Sequence, residues 1–281
     1  MITSEIPTTP ELAAAGFIWH GRDGVMVLSN TGLTNAGFTN GFSTRAGGVS
    51  AFPHHALNLA GYNEDAATNI EENRRRFLAV FDGNWSLATV WQIHSAAVSI
   101  ITGPTDPVAE LDRCDALVGN LPGILAAVKT ADCVPVLLGD PRTGAYAAIH
   151  AGWRGTLEEI VKVTVEKLQD KCGVDPFDLQ AAIGPAAGRC CYEVGDDVIT
   201  AFRDRFPYAA ALFEPTREGH ARIDLHQANF NQLIAAGVPA EKIQVAPLCT
   251  IDRNDLFFSY RQEKKLHGKT GRLLSVIGRK P

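Results

Sequence analysis

The chain has 281 residues, of which 46% are hydrophobic and 20% charged, and its net charge is −5 at pH 7. This composition is that of a folded globular protein, and it excludes long disordered stretches. The acidic balance also removes the general attraction to nucleic acid or anionic lipid that an excess of Lys and Arg provides.

Targeting and redox signals point to a cytoplasmic protein. No apolar run approaches the ~20 residues of a membrane span, and Met1–Glu5 lacks the basic start of a secretory signal. The six cysteines form no C-x-x-C pair, so neither a disulfide framework nor a closed zinc ribbon is expected. Residues 1–281 are expected to form one domain, with the N-terminal ~20 residues peripheral.

Short apolar segments bounded by turn residues predict strands, and apolar residues at helical spacing predict helices. The predicted strands are Val25–Leu28, Ala88–Ile93, Val98–Ile101, Ile124–Val128, Val134–Leu138, Ala145–Ile149, Leu179–Ile183, Ile243–Pro247, Leu256–Tyr260 and Leu273–Ile277. The predicted helices are Asp65–Phe81, Thr156–Lys171, Asp196–Phe206 and Asp224–Ala236, the second with a capping box from Thr156 to Glu159. Strands outnumber helices and come in adjacent pairs, which favours a mixed α+β fold.

The most informative segment is a predicted β-hairpin. Two apolar runs flank a turn sequence at 140–143, which predicts a four-residue loop. If Gly139 faces Gly144, then Cys133 faces His150, with Cβ atoms about 4.5–5.5 Å apart. That separation suits a thiolate and an imidazole on one zinc ion, with bonds of roughly 2.3 and 2.0 Å.

A third ligand is available at His94, which ends an apolar segment. Two His and one Cys with an open fourth position are typical of catalytic zinc sites rather than structural ones. A metal-free hydrolase, with Cys133 as nucleophile and His150 as base, is an alternative, but it leaves His94 without a role. The absence of His-x-His pairs argues against a multicopper oxidase, whereas a single copper ion stays an alternative to zinc. A non-enzymatic binding or quality-control role is a further alternative.

Several motifs together resemble the laccase-domain family, also called polyphenol-oxidase-like or YfiH-type purine nucleoside phosphorylases. The resemblance runs in order from about residue 41 to 272, and its most specific segments are those around Cys133 and His150. The matching segments are Phe42-Ser43-Thr44-Arg45, Gly47-Gly48-Val49-Ser50, Leu57-Asn58-Leu59, Gln92-Ile93-His94, Thr130-Ala131-Asp132-Cys133-Val134-Pro135-Val136, His150-Ala151-Gly152-Trp153-Arg154-Gly155, Ala182-Ile183-Gly184-Pro185, Cys191-Tyr192-Glu193-Val194, Phe257-Phe258-Ser259-Tyr260-Arg261 and Thr270-Gly271-Arg272.

The resemblance implies a fold, a metal site and an activity. The fold is a single α+β domain of several mixed sheets with flanking helices, related to cysteine-hydrolase-like toxin domains. The family's metal ligands fall on His94, Cys133 and His150. The implied activity is phosphorolysis of adenosine and inosine to base and ribose 1-phosphate, with cleavage of methylthioadenosine and some deamination of adenosine. Copper-dependent oxidation of phenols and peptidoglycan editing have also been attributed to the family.

Two departures from the family pattern concern loops. Ala186, Ala187 and Arg189 replace the more usual Cys, Ile and Pro, and the segment between Tyr260 and Thr270 is longer than usual. Neither touches the ligand positions, but both put the preferred nucleoside in doubt.

Further residues are assigned to substrate, and each has an ordinary structural alternative. Arg45 lies beside Gly47-Gly48, whose backbone amides can form an anion-binding concavity, so it is assigned to catalysis and to phosphate or substrate binding; the alternative is an ion pair. Asn58 is assigned to sugar or base, with a turn cap as the alternative. Asp132 is interpreted either as an orienter of a ligand His or as a buried carboxylate that caps backbone groups.

Overall fold

The computed structural model describes residues 10–52, 56–61, 64–105 and 112–281. The strands of this part are β1 (Phe17–Arg22), β2 (Val25–Asn30), β3 (Phe38–Ser43), β4 (Ala46–Ser50), β5 (Ser86–Ala88), β6 (Val98–Ile100), β7 (Ala116–Gly119), β8 (Ile124–Thr130), β9 (Val134–Gly139), β10 (Tyr146–Ala151), β11 (Gln180–Ile183), β12 (Glu193–Gly195), β13 (Phe213–Arg217), β14 (His220–Ile223), β15 (Ile243–Val245) and β16 (Leu273–Arg279). The helices are α1 (Pro10–Ala14), α2 (Thr31–Asn35), α3 (Ala67–Leu78), α4 (Trp153–Leu157), α5 (Ile160–Cys172), α6 (Asp196–Arg205), α7 (Ala209–Leu212), α8 (Leu225–Ala235) and α9 (Tyr260–His267).

Two large sheets and one small sheet organise these strands. The first large sheet has the order β1-β2-β3-β16-β8-β5, the second β15-β11-β9-β10-β7-β6, and the small one β12-β14-β13. Most neighbours are antiparallel, but β5 pairs with β8, β6 with β7 and β15 with β11 in parallel. The expected α+β fold with mixed sheets is therefore confirmed.

The two large sheets pack face to face, with helices on their outer faces. Phe42, Val128 and Ile277 of the first sheet share one apolar cluster with Leu137 and Tyr146 of the second. Because side chains alternate along a strand, the next residues face outward. The outer face of the first sheet packs on α3, and that of the second packs on α5, α6 and α8. The site described below lies at one end of the second sheet, where strands β7, β9 and β10 begin or end.

Two predicted strands are wrong, and each fails for a local reason. The segment 88–93 is a strand only at its start, since β5 ends at Ala88 and Trp91 forms an isolated bridge with Arg113. The segment 256–260 is a turn followed by a helix. Ser259 caps α9 there by accepting a hydrogen bond from the backbone amide of Gln262 at 3.2 Å.

The predicted helix Thr156–Lys171 is two helices, α4 and α5. They are separated at Glu159, which has a left-handed backbone (φ +59°) and makes no side-chain capping bond. The hydroxyl of Thr156 contacts the side chain of buried Asn229 instead, so the expected capping box does not form. Gly173 ends α5 in the left-handed conformation, as expected.

The N-terminal segment contributes more to the core than its expected peripheral position suggests. Leu12 and Phe17 are buried at 3% and 1% exposure, and β1 forms an edge of the first sheet. Residues 1–9 lie outside the described part. Among the helices of the described residues, none is long and apolar enough to cross a membrane.

Candidate metal centre

Three side chains from separate chain segments converge at the end of the second sheet. A nitrogen of His94, the sulfur of Cys133 and a nitrogen of His150 all lie within 4.8 Å of one another. The two imidazole rings are 4.9 Å apart between centroids and nearly perpendicular. His94 is exposed, Cys133 is partly exposed and His150 is buried, so the cluster opens to solvent on the His94 side. The structure thus brings together the three residues expected as ligands.

The loop of His94 is shaped by the carboxylate of Asp115. The backbone amides of Ile93, His94 and Ser95 donate to this carboxylate at 3.2, 3.0 and 2.7 Å, and the Ser95 hydroxyl donates to it at 2.9 Å. Three successive amides converge on one anion because His94 adopts a left-handed backbone, with φ +60°. Such a conformation costs a non-glycine residue about 1–3 kcal/mol, and the buried carboxylate stabilises it.

The same carboxylate orients the second histidine. Nδ1 of His150 lies 2.8 Å from Oδ1 of Asp115, and the backbone amide of His150 donates to the Asp115 carbonyl at 2.7 Å. With Nδ1–H donating to the carboxylate, Nε2 is the nitrogen that remains for a ligand. Asp115 is fully buried and was missed by the sequence analysis. A carboxylate placed directly before the buried strand β7 was the signal that could have found it.

Cys133 is held by the turn that contains Asp132. Asp132 has a left-handed backbone, with φ +85°. Its carboxylate accepts hydrogen bonds from the Thr250 hydroxyl (2.7 Å), the Ser259 hydroxyl (3.0 Å) and the Arg261 amide (2.6 Å). These bonds support the second interpretation of Asp132, a buried carboxylate that caps neighbouring groups, since its three bonds go to these loops and not to a histidine.

The predicted pairing of Cys133 with His150 is wrong in its register. His150 pairs with Pro135, and Cys133 lies just before β9 rather than opposite the histidine. The loop has four residues as expected, but it comprises 141–144 instead of 140–143. Because the loop moves by one residue on both of its sides, the strand partner of each residue changes by two positions. Side chains alternate between the two faces of a strand, so His150 still lies on the predicted face of the sheet. The turn at Asp132 then brings the thiol back to the imidazole.

The shift has a physical cause in the loop. Asp140 continues the ladder by donating its amide to the carbonyl of Ala145 at 2.9 Å. Its carboxylate accepts bonds from the Arg142 amide (2.8 Å) and the Thr143 hydroxyl (2.6 Å) inside the loop. Gly144 takes the left-handed last position, with φ +72°.

The residue that faces the cluster from the hairpin's end must be small. A Cβ atom added at Gly152 would lie 3.0 Å from the Cys133 sulfur and 3.1 Å from Cδ2 of His94. The space between the three donors is therefore kept free of protein atoms by a glycine. A soft thiolate, two imidazoles, a carboxylate behind one imidazole and an open side together fit a zinc ion with an open coordination position.

Charge coupling makes Cys133 and His150 an ion pair in the absence of metal. Burial alone would raise the pKa of Cys133, but the charge and hydrogen bonds of His150, together with His94, lower it to about 6. Burial alone would lower the pKa of His150, but Cys133 and Asp115 raise it to about 9. Burial would also raise the pKa of Asp115, yet its bonds from His150 and Ser95 hold it at about 2.

Tyr192 is a further group near the cluster that the sequence analysis did not assign. Burial raises its pKa, and the negative charge of Cys133 raises it further. The Arg261 guanidinium stacks on its ring at 4.9 Å and donates to the carbonyl of Glu193 at 2.8 Å. Tyr192 is therefore a protonated phenol within electrostatic reach of the thiolate.

The structure places the two predicted substrate residues in structural contacts. The terminal nitrogens of Arg45 donate to the carbonyls of Asn254 and Phe257 and to Glu263, the last at 2.6 Å. The Arg45 and Glu263 side chains are 11% and 4% exposed. Asn58 accepts a bond from the Arg272 amide at 2.9 Å and is buried. Their substrate roles stay predictions.

A group of three cationic side chains, Lys129, Arg74 and Arg272, lies next to the segment of Asn58. Lys129 lies near the end of β8 in the first sheet, and both its amide and its carbonyl are hydrogen-bonded by the side chain of Gln92, two residues before His94. Burial, together with Arg74 and Arg272, lowers the pKa of Lys129 to about 8, although Glu64 acts in the opposite direction. Arg272 forms an ion pair with Glu64 at 2.8 Å, and the remaining excess of positive charge around Lys129 favours a bound anion.

The chain is similar to a known family over most of its length. A family model described as multi-copper polyphenol oxidoreductase laccase matches residues 39–280. The purine nucleoside phosphorylase YlmD of Geobacillus stearothermophilus is 37% identical over 255 residues, which cover 87% of this chain and 91% of that protein. The purine nucleoside phosphorylase YfiH of Escherichia coli is 38% identical over 237 residues, covering 84% and 91%.

Solved structures show the same architecture. The crystal structure of YlmD from Geobacillus stearothermophilus superposes with a TM-score of 0.86 at 35% identity, covering 95% of this chain and 99% of that one. The structure of a Bacillus licheniformis protein titled YfiH gives 0.85 at 31% identity, covering 93% and 99%. The compact α+β domain is therefore shared with these structures.

Replacement of Asp115 by Asn should weaken metal binding. The amide cannot offer the same charged acceptor to the His94 loop and to His150, so we expect a loss of about 10–100-fold in zinc affinity. Competition with a chromophoric chelator measures it. Asp224→Asn, at the carboxylate that caps α8 outside the cluster, is the control and should leave the affinity unchanged. Equal affinity in both variants would show that Asp115 has no positioning role.

Alkylation of Cys133 in metal-stripped protein should follow the lowered pKa of its thiol. Because the folded thiol ionises near pH 6, the iodoacetamide reaction should rise through that pH, as read by peptide mass spectrometry. His150→Ala removes the stabilising cation and should move the midpoint upward, toward the ordinary value of about 8.5. A midpoint that is the same in both proteins would contradict the ion pair.

Proposed function

This chain belongs to the laccase-like family that includes the YfiH and YlmD purine nucleoside phosphorylases, and we propose that it is itself a zinc-dependent purine nucleoside phosphorylase. The observation that carries the proposal is the convergence of His94, Cys133 and His150 around a space open on one side. We propose adenosine, inosine and methylthioadenosine as substrates, with slower deamination of adenosine as a side activity, in the cytoplasm.

Zinc is the metal that these residues would hold best. Two imidazoles and one thiolate match the donor set of catalytic zinc sites, and the Asp115 carboxylate behind His150 is the supporting contact such sites use. When bound, zinc would supply Lewis-acid stabilisation of a substrate oxygen or a water of lowered pKa. Copper is the alternative metal, since it binds the same donors with higher intrinsic affinity.

The reaction sets clear requirements for the protein groups. A phosphate oxygen forms a bond to C1′ of the ribose, the bond from C1′ to the purine nitrogen breaks, and its electron pair leaves with the base, which takes up a proton. The protein must therefore hold a dianion, hold the purine and offer a proton. Phosphorolysis differs from hydrolysis only in the nucleophile, so exclusion of water is also required.

Groups near the cluster can meet the requirements for the purine. Trp91 and Ile93 are 48% and 43% exposed on the same loop as His94, so they offer an apolar surface on which a purine ring can stack. The phenol of Tyr192, whose pKa is raised by burial and by the charge of Cys133, is protonated at neutral pH, and we assign it as the donor to the departing base. Both assignments are part of the proposal.

Phosphate is assigned to the cations around Lys129. Arg45 has its two terminal nitrogens engaged with Glu263 and backbone carbonyls. Near Lys129, the positive charges of Arg74 and Arg272 act against one carboxylate, Glu64, which pairs with Arg272 at 2.8 Å, so a bound dianion would offset the excess positive charge. Gln92 ties Lys129 to the His94 loop, which connects this group to the metal centre.

Other functions are less well supported. A metal-free hydrolase would use the Cys133–His150 ion pair, in keeping with the relation to cysteine-hydrolase-like toxin domains, which stays a prediction; it gives no role to His94. In the described residues, histidine enters only one cluster of metal-ligating side chains, which disfavours a multicopper oxidase site. A peptidoglycan-editing role would need a different substrate at the same open centre.

Purified protein with one zinc per chain should release hypoxanthine from inosine only when phosphate is present. The His94→Ala variant should lose its zinc, and its kcat/KM should fall by at least about 100-fold. Loss of a residue that only supports a ligand costs up to about 100-fold, and loss of a ligand itself should cost no less. His220→Ala, a histidine outside the cluster, is the control. The zinc content is measured by plasma mass spectrometry, and the released base is measured by liquid chromatography. Base release that does not depend on phosphate would make the protein a hydrolase.

Lys129→Met should raise the KM for phosphate by about 10-fold or more while the zinc content stays at one per chain, since a charge-assisted contact contributes at least about 1.5 kcal/mol. Lys171→Met, at an exposed lysine in the last turn of α5, should leave it unchanged. If Arg45→Lys raises the phosphate KM and Lys129→Met does not, the phosphate site lies at Arg45.

A further inference from the structure

A second cluster of metal-ligating atoms lies outside the centre described above. The sulfurs of Cys190, Cys191 and Cys249 all lie within 4.8 Å of one another, and those of Cys190 and Cys191 are 3.1 Å apart. The first two belong to the loop between β11 and β12, and the third follows β15. Cysteines at these spacings show no metal motif in the sequence, so only the fold brings them together.

Backbone pairing between the two loops fixes the cluster. Ala186 forms an isolated parallel bridge with Cys249, and the Thr250 amide donates to the Ala186 carbonyl at 2.9 Å. Gly188 fits closely beneath the sulfurs. A Cβ atom there would lie 3.1 Å from Cβ of Cys249 and 3.5 Å from the sulfurs of Cys249 and Cys190.

The sulfur of Cys249 accepts two backbone hydrogen bonds. The backbone amides of Gly188 and Asp252 point at it from 3.2 and 3.5 Å. Amide donors to a thiolate are the usual supporting contacts of metal–sulfur sites. Three thiolates this close would repel one another, so a bound cation would stabilise the deprotonated cluster.

We propose that Cys190, Cys191 and Cys249 form a second metal site, which binds one soft monovalent cation, Cu(I), through three thiolates. Thiolate sulfur is a soft ligand that selects Cu(I), and three such donors satisfy Cu(I). Zinc prefers four ligands, and its closed structural sites carry four Cys or His. The ligands of the two clusters therefore differ in softness. Zinc is expected at the centre of two histidines and one cysteine, and Cu(I) at the centre of three cysteines.

A cation can reach this site from solvent. Cys190 is exposed, and Cys191 and Cys249 are partly exposed. A cavity of about 320 Å³ opens on Cys190 and Cys249, and its wall also contains Asp252 and Arg253. The other cysteines lack such a setting: Cys114 is buried and Cys172 has no cysteine partner among the described residues.

The two metal sites are connected through one residue. The Asp132 carbonyl accepts the amide of Ala187 at 2.9 Å, and its carboxylate accepts the hydroxyl of Thr250 at 2.7 Å. Both thiol-bearing loops are thus attached to the residue directly before Cys133. Binding at the second site should tighten the turn that positions the first.

Anaerobic titration with Cu(I) tests the site in full-length protein. Cu(I) buffered by bicinchoninate is added to the zinc-loaded wild type and, separately, to His94→Ala, so that the result does not depend on zinc at the first centre. We expect one tightly bound Cu(I) per chain at the thiolate cluster in both proteins, with an ultraviolet band from thiolate-to-copper charge transfer. Cys190→Ser/Cys191→Ser should lose this copper, and Cys172→Ser should keep it.

Folding of the variants is checked by their zinc content and thermal unfolding, and Cys249→Ser provides an independent loss of one ligand. If the double serine variant binds as much Cu(I) as the wild type, or if Cys249→Ser leaves both the copper affinity and the charge-transfer band unchanged, the proposal is wrong. A disulfide between Cys190 and Cys191 that persists in the reduced anaerobic protein would overturn it as well.

Discussion

The buried carboxylate of Asp115 is the constraint on which the candidate metal centre depends. It receives three consecutive backbone amides of the His94 loop, one hydroxyl and the ring nitrogen of His150. One side chain therefore shapes the backbone that carries the first histidine and selects the free nitrogen of the second. A fully buried carboxylate is stable only when its oxygens accept several hydrogen bonds. The bonds that stabilise Asp115 in the fold are therefore the same bonds that position the two histidines.

Asp132 does for the cysteine what Asp115 does for the histidines. It joins the turn of Cys133 to the segments of Thr250, Ser259 and Arg261, which come from distant parts of the chain. The candidate metal centre is thus formed by contacts between residues that are distant in sequence, and the ends of the regular strands hold these residues in place. Functional residues commonly lie on loops positioned in this way by a rigid scaffold.

Residue chemistry in the sequence identified the three converging side chains, but not the geometry that joins them. The hairpin prediction placed His150 on the correct face because an error of two residues preserves alternation, whereas the direct opposition of Cys133 was wrong. Glu159 and Ser259 show two ways in which helix boundaries failed. No local pattern signals the left-handed backbone of Glu159, whereas the serine cap, Ser259 with Gln262 three residues later, is a local signal that was not used. Asp115 and the three-cysteine cluster were missed because their partners are remote in sequence, so no spacing rule reveals them.

The order of the ligands along the chain has a consequence for assembly. Cys133 and His150 flank one hairpin, whereas His94 lies in a preceding loop that Asp115 holds at the start of β7. The complete ligand set therefore requires the hairpin and this loop to be in place together. An ion bound to all three donors would fasten the loop to the hairpin, so metal binding and the folded arrangement of this end of the sheet would stabilise each other.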